Sequence, residues 1–245
     1  MFKRILTIAL LAGAMAGVGT SVVQEFTTTP IILHAEEFEG QASAPSQSAV
    51  SPTANRLGAK LYFADSGAGE GSEGHEAWGP EDGIERTLYT TLVNVITGVG
   101  FGLLLAAAFH LYGGAITGRQ GIIWGMAGYA TFTLAPALGL PPEVPGTMAA
   151  DLTARQMWWL FAVGATGLGL ALMVFGKSWL LRLAGLLALV VPHAVGAPQP
   201  AEIGGGVPPE LAGHFAAASL VTSAIFWALL GWLSGTLQDR FTQPN

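Results

Sequence analysis

Apolar residues run almost unbroken through six stretches of the chain, 5–23, 87–111, 121–140, 157–175, 179–196 and 215–237. Each is close to the roughly 20 residues that an α-helix needs to cross a hydrocarbon core about 30 Å thick. The third and fifth carry a proline near the C-terminal end, Pro136 and Pro192. Membrane helices tolerate such prolines when neighbouring helices re-satisfy the freed carbonyls. The pattern predicts an all-α polytopic membrane protein with six transmembrane helices arranged as three helical hairpins. Residues 1–23 then form the first helix, 24–79 a flexible acidic extracytoplasmic loop, 80–238 the membrane domain with five further helices, and 239–245 a cytoplasmic tail. The loop is read as such because it is rich in Ser, Gly, Ala, Pro and Glu and lacks sustained periodicity. The first stretch has a second reading as a signal peptide, with Lys3-Arg4 before the apolar run and Ala14-Met15-Ala16 as a small-residue cleavage site. Apolar character continues to Val23, and Gly13-x3-Gly17 offers a packing face, so it is taken as a retained span.

Three of the stretches open with an acid and, four residues later, a basic or titratable residue: Asp82/Arg86, Asp151/Arg155 and Glu210/His214. An acid at a helix start satisfies free N–H groups and complements the helix dipole. An acid four residues before a base also makes an ordinary helical pair. That structural role suffices for any one of them. The three together, each after a Pro/Gly-rich loop, put acids and histidines on a single membrane face, where a cation would be captured. The second and third hairpins also resemble each other. Pro136, Gly139 and Pro141 match Pro192, Gly196 and Pro198, and both loops contain Pro-Pro-Glu, at Pro141-Pro142-Glu143 and Pro208-Pro209-Glu210. Repeats of this general kind are common in transporters.

Composition supports the membrane reading. The chain is 51% hydrophobic and 11% charged, with a mean hydropathy of +0.51, against about 25% charged residues in a soluble domain. Its 34 glycines include Gly98-x3-Gly102, Gly121-x3-Gly125 and Gly231-x3-Gly235, spacings that let membrane helices pack closely. The absence of cysteine excludes disulfides, thiolate metal sites and cysteine nucleophiles. Ten scattered Lys and Arg residues form no basic patch, which argues against nucleic acid as a partner. Lys3, Arg4, Arg119, Lys177, Arg182 and Arg240 fall on one face; Arg56, Lys60, Arg86 and Arg155 share the other with every acid except Asp239. The positive-inside rule makes the first face cytoplasmic, and with it both termini.

The candidate metal-ligating residues are His75, Glu76, Glu81, Asp82, Glu85, Asp151, His193, Glu210 and His214. Neutral imidazole with carboxylates suits first-row divalent ions, whereas an all-oxygen set suits Mg²⁺ or Ca²⁺. His193 lies in the outer third of the fifth span, where an ionisable group is costly and usually lines a cavity; a histidine bonded to a neighbouring helix is the plainer account. His110 sits at the cytoplasmic end of the second span. Thr87, Thr91 and Asn94, and Ser219, Thr222 and Ser223, form two polar stripes that either line a path or bond helix to helix. Trp158 and Trp159 read as an outer aromatic belt and Trp179 as an inner one. Gly176-Lys177-Ser178 resembles the end of a phosphate loop, but Ala171 stands where glycine is required. No acid lies mid-membrane, and no hydrolase or redox constellation is present, so no enzyme is expected.

Several segments together resemble a known family. Trp78-Gly-Pro-Glu-Asp-Gly-Ile-Glu-Arg-Thr87, Gly139-Leu-Pro-Pro-Glu-Val-Pro-Gly146, Ala150-Asp-Leu-Thr-Ala-Arg-Gln156 with Trp158-Trp159, and Pro192-His-Ala-Val-Gly-Ala-Pro-Gln-Pro200 are similar to CbtA, the proposed cobalt transporter subunit of bacteria. The resemblance implies an inner-membrane protein linked to cobalamin biosynthesis, with Co²⁺ as the transported ion and no permanently bound cofactor. It also implies a small single-span partner, CbtB, with a histidine-rich end. Members are often described with five spans rather than six, and the loop here holds only His34 and His75. A membrane subunit of divalent-cation uptake is the expected function; a non-transporting scaffold of a larger membrane complex is the alternative.

Overall fold

The structure, a computed structural model, describes residues 2–42, 80–200 and 205–242. These form helices α1 (Phe2–Phe26), α2 (Thr28–Ala42), α3 (Ile84–Tyr112), α4 (Gly118–Tyr129), α5 (Ala135–Ala137), α6 (Leu152–Phe175), α7 (Trp179–Val195) and α8 (Pro209–Thr242). A π turn at Ala130–Leu134 joins α4 to α5. Among the described residues the only β-pairing is an isolated antiparallel bridge between Thr147 and Gly205. Four helices, α1, α3, α6 and α8, are long and apolar enough to cross a membrane. Helix α7 is apolar but has 17 residues, and the 121–140 stretch is divided by the π turn, so the structure meets the span criterion at four of the six expected positions.

Local chemistry sets the boundaries. Asp151 caps α6 by accepting from the Ala154 N–H at 2.8 Å, and Ser178 caps α7 through the Leu181 N–H. Thr117 and Gln120 form a reciprocal capping box at the start of α4. Gly113, at φ 73°, ends α3 in the left-handed conformation that a side chain would disfavour. Pro136 explains the π turn: it has no N–H to return to Phe132, and its ring crowds that carbonyl. The widened turn just before it relieves both problems.

Between helices in lipid there is little hydrophobic driving force, so close packing decides the pairing. Three seams do this here, each made by glycine. A Cβ on Gly13 or Gly98 would overlap the other's backbone, and Gly17 and Gly102 extend this contact between α1 and α3 onto Asn94 and Ala9. Gly121 and Gly125 of α4 meet Gly231 and Gly235 of α8 in the same way, and Gly169 of α6 meets Gly185 of α7. The first hairpin, α1 with α3, is the one the sequence predicts. The other two are corrected: α4 packs chiefly on α8 and α6 on α7, not α4 on α6 and α7 on α8. The cause is the placement of the glycines, which outweighs the short Pro-rich loops that join the expected partners.

The start of the expected loop is also corrected. Residues 24–26 complete α1, and α2 follows almost at once. Ile31 and Ala35 of α2 are buried, and Ala35 and Phe38 pack with Val144, Val207, Leu211 and Phe215. This helix exists through tertiary burial of one thin stripe, which its acidic and small residues conceal in the sequence. The remainder of that loop lies outside the described residues. Trp158, expected in an interfacial belt, is instead buried over Gly139, where a Cβ would collide with its ring; Trp179 is exposed.

A carboxylate-rich end with a polar cavity beneath it

The antiparallel seams give the bundle two unlike ends. The C-termini of α1, α5 and α7 and the N-termini of α3, α6 and α8 share one end with α2. The loop 138–151 meets residues 205–208 there through the Thr147–Gly205 bridge and the Val144–Val207 contact. Glu25, Glu36, Glu37, Glu81, Asp82, Glu85, Glu143, Asp151 and Glu210 lie at this end, against Arg86 and Arg155 as its only Lys or Arg among the described residues. Lys3, Arg4, Arg119, Lys177, Arg182 and Arg240 lie at the other end with Asp239.

Both arginines of the acid end are engaged. Arg86 makes two hydrogen bonds to the Glu36 carboxylate, at 2.8 and 3.2 Å, and a third contact to Asp82 at 2.8 Å. It thereby ties α2 to the start of α3. Arg155 pairs with Glu143 at 2.8 Å rather than with Asp151, because the Asp151 carboxylate is occupied as the α6 cap. Glu85 accepts from the Glu81 N–H at 3.3 Å, and Thr87 donates to Glu25 at 2.8 Å.

The candidate ligands are thus distributed as follows. Glu81, Asp82 and Glu85 stand together at the start of α3, with Asp82 committed to Arg86. Glu210 and His214 are exposed on the first turns of α8. His193, half-buried in the last turn of α7 after the fully buried Pro192, lies edge-on to Trp158 with ring centroids 6.1 Å apart. His75 and Glu76 fall outside the described residues. No three His, Asp or Glu side chains among the described residues gather closely enough to hold a metal ion. Glu36 and Glu143 are the acids whose roles the sequence does not disclose. Glu143 is visible in the Pro-Pro-Glu repeat, and Glu36 could have been reached through the Ile31–Ala35–Phe38 spacing.

Beneath this end, α1, α2, α3, α8 and the π turn line a half-open cavity of about 280 Å³. Both polar stripes reach it, through Asn94, Ser219, Thr222 and Ser223. The helix-to-helix role is present as well. Asn94 donates to Ser21 at 2.9 Å and Gln24 at 2.6 Å, and the Thr27 and Thr222 hydroxyls are 3.1 Å apart. Thr91 bonds back to the Thr87 carbonyl of its own helix.

No curated protein and no solved structure matches this chain. Residues 2–239 match the family model described as Probable cobalt transporter subunit (CbtA), and with nearly its whole length covered the chain belongs to that family.

Proposed function

We propose that this protein is the membrane subunit of an uptake system for a divalent cation, Co²⁺ in keeping with the family description. It lies in the bacterial inner membrane with its acid end outward and supplies cobalt for cobalamin biosynthesis, in partnership with a small single-span protein of the CbtB kind. The observation that carries the reading is the separation of charge between the two ends of the bundle. A carboxylate-rich mouth raises the local concentration of a dication, and basic residues at the opposite end set the orientation in the membrane. Glu81, Glu85 and Glu210 carry no ion pair with the two arginines, so they are the acids best placed for capture, with Asp82 lending charge and His214 nitrogen; Asp151 is occupied as the exposed α6 cap and His193 lies against Trp158. Uptake of radiolabelled cobalt by cells holding this protein, its partner, both or neither tests the proposal: both together should give saturable uptake well above the other three. The dispersal of ligands and the commitment of three carboxylates to arginines favour a second reading, a scaffold that stabilises the transporting partner. Uptake by the partner alone, equal to that of the pair at matched partner abundance, would establish the scaffold instead.

A further inference from the structure

The cavity beneath the acid end plays no part in the charge separation, and its chemistry is distinct. Its polar walls are hydroxyls and carboxamides, from Gln24, Asn94, Thr97, Ser219 and Ser223 among others, and no lining residue is charged. At the basic side it is closed by an aromatic floor, where Trp227 stacks on Phe132 at 5.7 Å and meets Phe101 at 4.7 Å. Thr28 and Ile32 of α2 lie across its other side. The glycine seams show how tightly these helices close where no space is wanted. Here large aromatic side chains hold them apart. The π turn contributes Thr133 to the wall and positions its hydroxyl to accept from the Trp227 indole N–H at 3.3 Å. Such turns recur at functional sites.

We propose that this cavity takes a divalent cation with its water shell intact, so that the protein touches the shell and not the metal; this rests on the transport reading above. Six waters at about 30 Å³ each occupy roughly 180 Å³, and the cavity volume of about 280 Å³ accommodates them around an ion. A hydrated dication presents O–H donors outward, so its host needs acceptors. Hydroxyls supply them, and Asn94 turns its amide donor toward Ser21 and Gln24, which leaves its carbonyl oxygen to accept. Neutral oxygens do not repay the cost of stripping water from a dication, and weak shell contacts let the ion leave again.

The chain has no cysteine, so single Ser219→Cys and Ser223→Cys variants carry one thiol each. Both should react from the acid side with small water-soluble thiosulfonates. A cationic adduct should lower cobalt uptake about tenfold more than a neutral adduct of the same size, since only the charge repels the ion at short range. Absence of labelling in protein that accumulates in the membrane, or equal effects of the two adducts, would overturn the cavity as a cation site. Purified parent protein separates this from the transport reading. Bound Co²⁺ should keep the visible spectrum of its aqua ion, and Asn94→Leu with Ser223→Ala should weaken binding severalfold. Binding of this kind without uptake in cells would sink the transport reading and leave the cavity standing. A nitrogen-ligated spectrum, or binding unchanged in the double variant, would place the ion elsewhere.

Discussion

Arg86 stands between two carboxylates, Asp82 four residues before it and Glu36 fifty before it. The first contact is legible in the sequence because it is local: an acid four residues before a base falls on the same helical face. The second is not, because the Ile31–Ala35–Phe38 spacing marks a buried face but names no partner for Glu36. Removing the guanidinium should therefore do more than delete a surface pair. Arg86→Ala should lower stability by about 1.5–3 kcal/mol, the range for hydrogen bonds to charged groups. It should also release α2, so that Ala35→Cys, unreactive in the parent background, becomes labelled in the Arg86→Ala background. Thermal unfolding in detergent and thiol labelling read these two effects. Glycines pose the converse problem. Their spacing announces a contact, but a residue without a side chain cannot name its partner. Gly231→Ala places a methyl group against Gly121 and should cost about 1–3 kcal/mol by overpacking. Gly100→Ala meets nothing within 4 Å and should stay within about 1 kcal/mol of the parent. The two thermal midpoints, measured side by side, check the contrast.

At the scale of helices, four of the six expected spans are the membrane-length helices found among the described residues, and the caps at Asp151 and Ser178 follow from ordinary helix-start chemistry. Pairing was less legible. Short loops suggested that α4 would lie against α6 and α7 against α8, yet the glycine faces of α4 and α8 are complementary and bring distant segments together. The same limit applies to the site. The two polar stripes were visible as stripes, but the space between them depends on α1 and α2, one read as a plain span and the other as loop. A direct consequence is that α1 and α8 must be neighbours at the acid end. Thr27→Cys with Thr222→Cys, whose parent hydroxyls lie 3.1 Å apart, should form a disulfide under mild oxidation. A mobility shift on a non-reducing gel, absent from either single variant, reports it; no shift would contradict the placement of α1 against α8.

For the whole molecule, the antiparallel seams put residues 138–151 and 205–208 at one end and residues 113–117 and 176–178 at the other. Under the proposed orientation, with the basic end cytoplasmic, Thr147→Cys should react with an impermeant thiol reagent added outside intact cells. Lys177→Cys should react only after the membrane is opened. The reverse pattern would invert the protein and place its carboxylates in the cytoplasm. The glycine seams carry a mechanical consequence for such a body. Helices usually lock together through side chains that mesh like gear teeth, and a shift along the axis must lift each tooth from its notch. Along the lines of Gly13 and Gly98, and of Gly121 and Gly231, main chain lies against main chain with nothing between. Such close approach exists only where glycine lies at the contact, so a slide along the axis would drive a neighbouring side chain into the facing main chain. The two seams therefore hold their helices in register, and α1, α3 and α8 carry that fixed register into the walls of the cavity.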